Sequence, residues 1–134
     1  MSLQINLKKT FILLNFLFIF CSCNKNKVKT VHYELTGSYT GKLTVHYSGE
    51  NGIIQTISNV SLPWLIDVKP SENVSSLRFY IQNTPALTGQ QFEIVSVKIE
   101  AKNNNGKFII HHSENNFYAN QSGEISSDTI TIDL

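Results

Sequence analysis

The sequence predicts an all-β domain, an antiparallel β-sandwich of about seven to nine short strands behind an N-terminal targeting segment. Three observations predict it. Apolar and polar residues alternate with period two from Val28 onward, as in half-buried strands. Clusters of Gly, Asn, Ser and Pro recur about every ten residues, which is the spacing of turns between short strands. No stretch beyond Cys23 carries the 3.6-residue period of an amphipathic helix. Clean alternation also implies that each sheet has one wet face.

Residues 1–22 read as a signal peptide. Lys8 and Lys9 form a basic n-region, and residues 11–20 are almost wholly apolar. That run is shorter than the roughly 20 apolar residues that cross a bilayer. It ends in Cys21-Ser22-Cys23 rather than in an Ala-x-Ala-like cleavage site. A small residue directly before a Cys resembles the lipobox of bacterial lipoproteins, although Phe20 stands where the tightest patterns have Leu. The resemblance implies cleavage before Cys23 and a diacylglycerol on its thiol, so Cys23 is the expected lipidation site. A secretory peptide cut elsewhere and an uncleaved anchor are the alternatives. The expected place is the bacterial cell envelope, membrane-anchored and facing the periplasm or the exterior. Residues 23–29 then form a short, Lys-rich lipidated tether, and residues 30–134 the sandwich. With Cys21 removed and Cys23 acylated, no structural disulfide remains, and the core alone must hold the domain.

The whole chain carries a formal charge of +1. Loss of Lys8 and Lys9 leaves nine basic against ten acidic residues, or −1. A near-neutral domain with one arginine, Arg78, lacks the basic patch that nucleic acid requires, so no nucleic-acid partner is expected.

The elements follow in order. Val31, Tyr33 and Leu35 alternate with His32, Glu34 and Thr36, and Gly37 to Gly41 form a turn. Leu43, Val45 and Tyr47 make the next inward row, and the Asn51-Gly52 step signals a hairpin back into Ile53 to Val60. Pro63 suits the start of a strand, since it fixes φ and lacks an N–H. Trp64, Ile66 and Val68 alternate after it, and Trp64, the only Trp, is the expected centre of the core. Pro70 to Asn73 is a turn. Val74 to Gln82 returns with Leu77, Phe79 and Ile81 inward and Arg78, Tyr80 and Gln82 outward. A loop to Gly89 leads into Phe92 to Lys102, expected as the longest strand, with Val95, Val97, Ile99 and Ala101 inward. The turn Asn103 to Gly106 sends Lys107 to Ser113 back as a hairpin. Phe117 to Ala119 is a short strand or packed loop, and Ile125 to Leu134 is the last strand.

Several short motifs recur in a familiar order: Val31-His32-Tyr33-Glu34-Leu35-Thr36-Gly37, Leu43-Thr44-Val45-His46-Tyr47, Val60-Ser61-Leu62-Pro63-Trp64, then Val97-Lys98-Ile99 and Asn105-Gly106-Lys107. Over about residues 28 to 112 the set resembles the C-terminal domain of the mycobacterial small membrane proteins, the MmpS-like family. The resemblance implies an immunoglobulin-like sandwich in an extracytoplasmic place. It also implies an accessory role beside a large membrane transporter that exports lipids or siderophores. This chain departs from the family in its expected lipid anchor, where the family has a transmembrane helix, and in lacking the paired cysteines of some members. The fold carries over better than the role.

No catalytic or cofactor motif stands out. His111 and His112 are adjacent in a strand and point to opposite faces. His112 with Glu114, or His32 with His46 across a hairpin, would supply at most two ligands where zinc takes three or four. No catalytic residue, metal site or cofactor is therefore expected, and the protein is expected not to be an enzyme. Tyr39, Tyr80, Phe117 and Tyr118 are the candidates for an exposed aromatic platform. Asn59, Asn73 and Asn120 each begin a glycosylation-acceptor triplet, accidental in a bacterial lipoprotein. The expected function is a non-enzymatic accessory or interaction module, with an envelope protein as partner and the face of Arg78 and Tyr80 as its surface. The alternative is a glycan-binding or adhesive module.

Overall fold

The computed structural model describes residues 27–134, without the side chains of residues 114–116. The signal peptide and Cys23 lie outside the described residues. Eight strands follow one another: β1 (Val28–Gly37), β2 (Leu43–Ser48), β3 (Ile54–Val60), β4 (Trp64–Val68), β5 (Ser76–Asn83), β6 (Ile94–Asn103), β7 (Phe108–Tyr118) and β8 (Ile130–Asp133). They form two four-stranded sheets, ordered β4-β1-β6-β7 and β3-β2-β5-β8. Every pairing between strands is antiparallel. The all-β sandwich is as the sequence predicts. The sheet orders place β1 and β2 in different sheets, whereas the immunoglobulin constant arrangement puts its first two strands in one.

The alternation read from the sequence is what builds the core. Val31, Tyr33 and Leu35 of β1 and Val95, Val97, Ile99 and Ala101 of β6 face Leu43, Val45 and Tyr47 of β2 and Leu77, Phe79 and Ile81 of β5. The inner strands of each sheet thus supply most of the buried surface. Tyr33 crosses the gap between sheets: its ring stacks on Phe79 at 5.5 Å and tilts against Tyr47 at 5.7 Å. Its hydroxyl donates to the Ser48 carbonyl at 3.3 Å, so the buried polar tip is satisfied. Burial pushes the Tyr33 phenol well above its ordinary range.

Trp64 is not the centre. It is half-buried at the first position of β4, an edge strand, and touches the core through Tyr47 at 5.9 Å. An edge position leaves one flank of the indole with no neighbouring strand to cover it. Other differences are smaller. The longest strand is β7, because Phe117 and Tyr118 continue it past two register shifts against β6. Ile125 is buried but precedes the last strand, which begins only at Ile130; between them Ser126 makes an isolated bridge to Gln82.

Three turns share one construction. Gly52, Gly106 and Gly123 have φ of 73°, 72° and 74°. Each donates its N–H to the residue three before it, Gly49, Asn103 and Asn120, at 2.9–3.0 Å. Only the last residue of each turn needs positive φ, so Gly is required there and Asn51 keeps an ordinary backbone. In the second and third copies the leading Asn reinforces the turn. The Oδ1 of Asn103 accepts from the amides of Asn105 and Lys107, and that of Asn120 from Ser122 and Glu124.

Five of the seven connections cross from one sheet to the other, and four of these crossings lie at the same end of the sandwich. That end is distal to Val28. Three distal crossings meet at Tyr39. Its buried hydroxyl accepts from the Gly89 amide and donates to the Gly123 carbonyl, both at 3.1 Å. Glycines allow the approach: a Cβ on Gly123 would lie 2.0 Å from the Gly89 oxygen, and one on Gly41 would lie 2.6 Å from the Tyr39 hydroxyl. Beside them the Glu93 carboxylate accepts from the Thr40 amide and hydroxyl and the Gln90 amide, at 2.8–2.9 Å. Those donors, the Thr40 amide first, hold the Glu93 carboxyl below its usual value.

Tyr39→Phe should cost about 1–3 kcal/mol, because it strips a buried donor and acceptor of one partner. Gly123→Ala should cost more, since it adds a backbone clash to a strained φ. Urea midpoints test the ranking, and a Tyr39→Phe midpoint equal to wild type would mean that the hydroxyl ties nothing.

Candidate interaction surface

The outer faces of the two sheets differ in kind. On the sheet containing β1, charged side chains run across all four strands. His32 Nδ1 lies 2.8 Å from Asp67 of β4, Lys98 Nζ lies 2.9 Å from Glu34, and His111 Nδ1 lies 3.2 Å from Glu100. The hydrogen bond from Lys98 holds the Glu34 carboxyl below its usual range and raises the lysine in return. Opposite charges directly across neighbouring strands are worth little when solvated. This face is already paired with itself.

The outer face of the other sheet is nearly uncharged. Thr44, His46 and Ser48 of β2 stand opposite Gln82, Tyr80 and Arg78 of β5 or hold them in place. The His46 imidazole stacks on the Tyr80 ring, 4.2 Å between centroids and 10° between planes. Its Nδ1 bonds the Thr56 hydroxyl of β3 at 3.0 Å. Its Nε2 is enclosed without a hydrogen-bond partner, alone in this among the buried side-chain polar atoms described. Desolvation pushes the imidazole below its ordinary value. Ser48 Oγ accepts the Arg78 amide at 2.8 Å and so fixes the backbone under that side chain. Arg78 is exposed, and Tyr80 is half-buried under its stack. The two predicted surface residues therefore share this face, with His46 as a third member that the alternation pattern did not single out.

Other sequence candidates separate. His32 and His46 lie in different sheets, so they do not meet across a hairpin. His111 stands opposite Glu100 and His112 opposite Ile99, on alternate faces, and the Glu114 side chain lies outside the described residues. Among the described residues no three His, Cys, Asp or Glu side chains gather as a metal site would require. The four aromatics do not form one platform either. Tyr39 is buried in the distal knot, Phe117 is half-buried against the core, Tyr80 lies on the sheet face, and Tyr118 is 57% exposed at the distal end.

Tyr118 borders a distal cleft of about 610 Å³ with Gln82, Asn83, Thr88, Asn120 and Glu124. Asn120 Nδ2 donates to the Glu124 carboxylate at 3.1 Å. Around this end collect the three non-glycine residues of positive φ among the described residues: Asn59 at 63°, Ala86 at 63° and Phe92 at 64°. Phe92 is 69% exposed, so a bulky aromatic is held outward on an unfavourable backbone. The lining comes from two loops distant in sequence and the ends of β5 and β7, so no local motif announces it. No protein-family model matches the chain, and no curated protein does.

The depressed His46 pKa has a definite sign. The unfolded chain binds the proton more readily, so the contribution is present above the unfolded imidazole value of about 6.5 and is lost as pH falls below it. The chain should therefore lose stability between neutral and mildly acid pH. His46→Phe, which keeps the stack and removes the proton, should lose less over the same interval. Urea melts across that range compare them, and equal slopes would show that His46 is not desolvated.

Proposed function

We propose that the protein is a lipoprotein anchored to the membrane of the bacterial cell envelope through acylated Cys23. Its sandwich acts outside the cytoplasm as a non-enzymatic interaction module. In the finest form of this reading it is an accessory to an envelope transporter, which rests on the MmpS-like motifs alone. The observation that carries the module reading is the contrast between outer faces. One sheet neutralises its own charges, while the other exposes Arg78 beside the His46–Tyr80 stack. Arg and Tyr are the residue types that anchor interfaces. The same sheet ends in β8, an edge strand of four residues whose outer backbone groups can accept an added strand. Two experiments test the reading. Cys23→Ser should abolish incorporation of a clickable fatty acid, and label retained on that variant would place the anchor elsewhere. Crosslinking in intact cells should recover an envelope protein from wild type and much less from Arg78→Ala/Tyr80→Ala. Recovery of none from wild type would defeat the partner role.

The distal cleft favours a second reading, a glycan-binding module. A planar ring beside amides and a pre-set carboxylate suits a polyhydroxylated ligand. Tyr118→Ala should then remove binding on a glycan array, and an array blank for wild type would end this alternative.

A further inference from the structure

The end of the sandwich where the chain enters differs from the distal end in charge, while both ends expose apolar side chains. It comprises residues 27–29, the turns at 49–53, 69–75 and 102–109, and residues 133–134. These are one surface: the Ser71 amide donates to the Glu50 carbonyl at 2.8 Å, Lys27 pairs with Glu72 at 3.1 Å, and the Leu134 amide donates to the Ser75 carbonyl at 2.9 Å. Five lysines gather there, Lys27, Lys29, Lys69, Lys102 and Lys107, against three acids, Glu50, Glu72 and Asp133. The distal loops, residues 37–42, 59–63, 84–93 and 119–127, reverse the balance, with Lys42 against Glu93 and Glu124. The proximal lysines are interleaved with exposed apolar side chains: Ile53 at 65%, Phe108 at 50%, Ile109 and Leu134. Lys102 Nζ lies 4.6 Å from the Phe108 ring centroid, so the cation and the aromatic share one patch.

We infer that this proximal end docks on an anionic, phosphate-bearing lipid surface, with the lysines at the headgroups and Phe108 and Ile53 at their apolar boundary. The inference rests on the anchor reading for its geometry. The five residues from Cys23 to Lys27 reach at most about 18 Å when fully extended. An acylated Cys23 therefore keeps this end within that distance of the bilayer. Charge complementarity selects the occupant, since lysines near an anionic leaflet are attracted within a Debye length and amphipathic aromatics settle at headgroup level. Docking would turn the distal cleft away from the membrane and leave the Arg78–Tyr80 face along the side.

The test uses the full protein, purified from membranes and reconstituted into vesicles of phosphatidylglycerol with phosphatidylcholine, or phosphatidylcholine alone, the lipids brominated. Trp64→Phe removes the only native Trp. On that background Phe108→Trp reports the proximal end and Tyr118→Trp the distal end. Bromolipid should reduce Phe108→Trp emission by about twofold in the anionic vesicles and leave Tyr118→Trp unchanged. About 1 M salt, which shortens the Debye length to about 3 Å, should reverse most of that quenching without any further substitution. Lys29→Gln/Lys69→Gln/Lys107→Gln should do the same. Equal quenching of the two probes, or quenching blind to salt and lipid charge, overturns the docking. The anchor is scored separately, by acyl mass on Cys23 and by flotation of wild type against Cys23→Ser. A wild type that floats without preferential proximal quenching defeats the docking alone. A wild type with no acyl mass defeats the anchor, and absence of quenching in that protein defeats both.

Discussion

The Tyr39 hydroxyl is the bond on which the arrangement of the sandwich depends. A chain that changes sheet at five of its seven connections cannot rely on hairpin pairing to hold its corners. The corners must bond to one another. Tyr39 accepts from one crossing and donates to another while itself belonging to a third. The fourth distal crossing joins through Lys42 Nζ on Ser61 Oγ and through the Thr84 hydroxyl, which accepts the Asn59 amide at 3.3 Å. Backbone groups that would face solvent in loose loops are thereby paired, as buried polar groups must be. The cost is a close approach that only glycine permits at 41, 89 and 123.

This locked end explains why strain collects there without collapse. Three non-glycine residues sit at positive φ, and each belongs to a crossing whose neighbours are fixed. The Phe92 amide still donates to the Ala119 carbonyl at 3.1 Å, so the unfavourable backbone is held by a bond rather than left to relax. The proximal end is built differently. Two of its three connections are tight turns closed by Gly52 and Gly106 within one sheet, and only the one from β4 to β5 crosses between sheets.

Much of the fold was legible because alternation is a local signal. Val95, Val97, Ile99 and Ala101 declared their inward row by spacing alone, as did Leu77, Phe79 and Ile81. What the pattern could not carry was partnership. Leu43 to Tyr47 reads as the hairpin mate of the first strand, yet the turn between them changes sheet. That is why spacing alone pairs His32 with His46 across a hairpin the fold does not contain. Trp64 misled for a related reason: size predicts burial, but an edge strand has neighbours on one side only. The second Asn-x-x-Gly turn, at Asn120, was hidden because Asn-Gln-Ser also spells a glycosylation triplet. The Arg78–Tyr80 face was legible from parity, whereas the enclosed His46 nitrogen needed the third strand, β3, to be in place.

The position of β1 has a mechanical meaning. It enters at the proximal end and lies between β4 and β6, bonded along both edges. Its hydrogen bonds stand perpendicular to its length. A pull on the N-terminus along the strand therefore loads both ladders in shear, many bonds at once, instead of unzipping them one by one. The terminus proposed to carry the anchor is thus also the end of the strand least able to be peeled from its sheet.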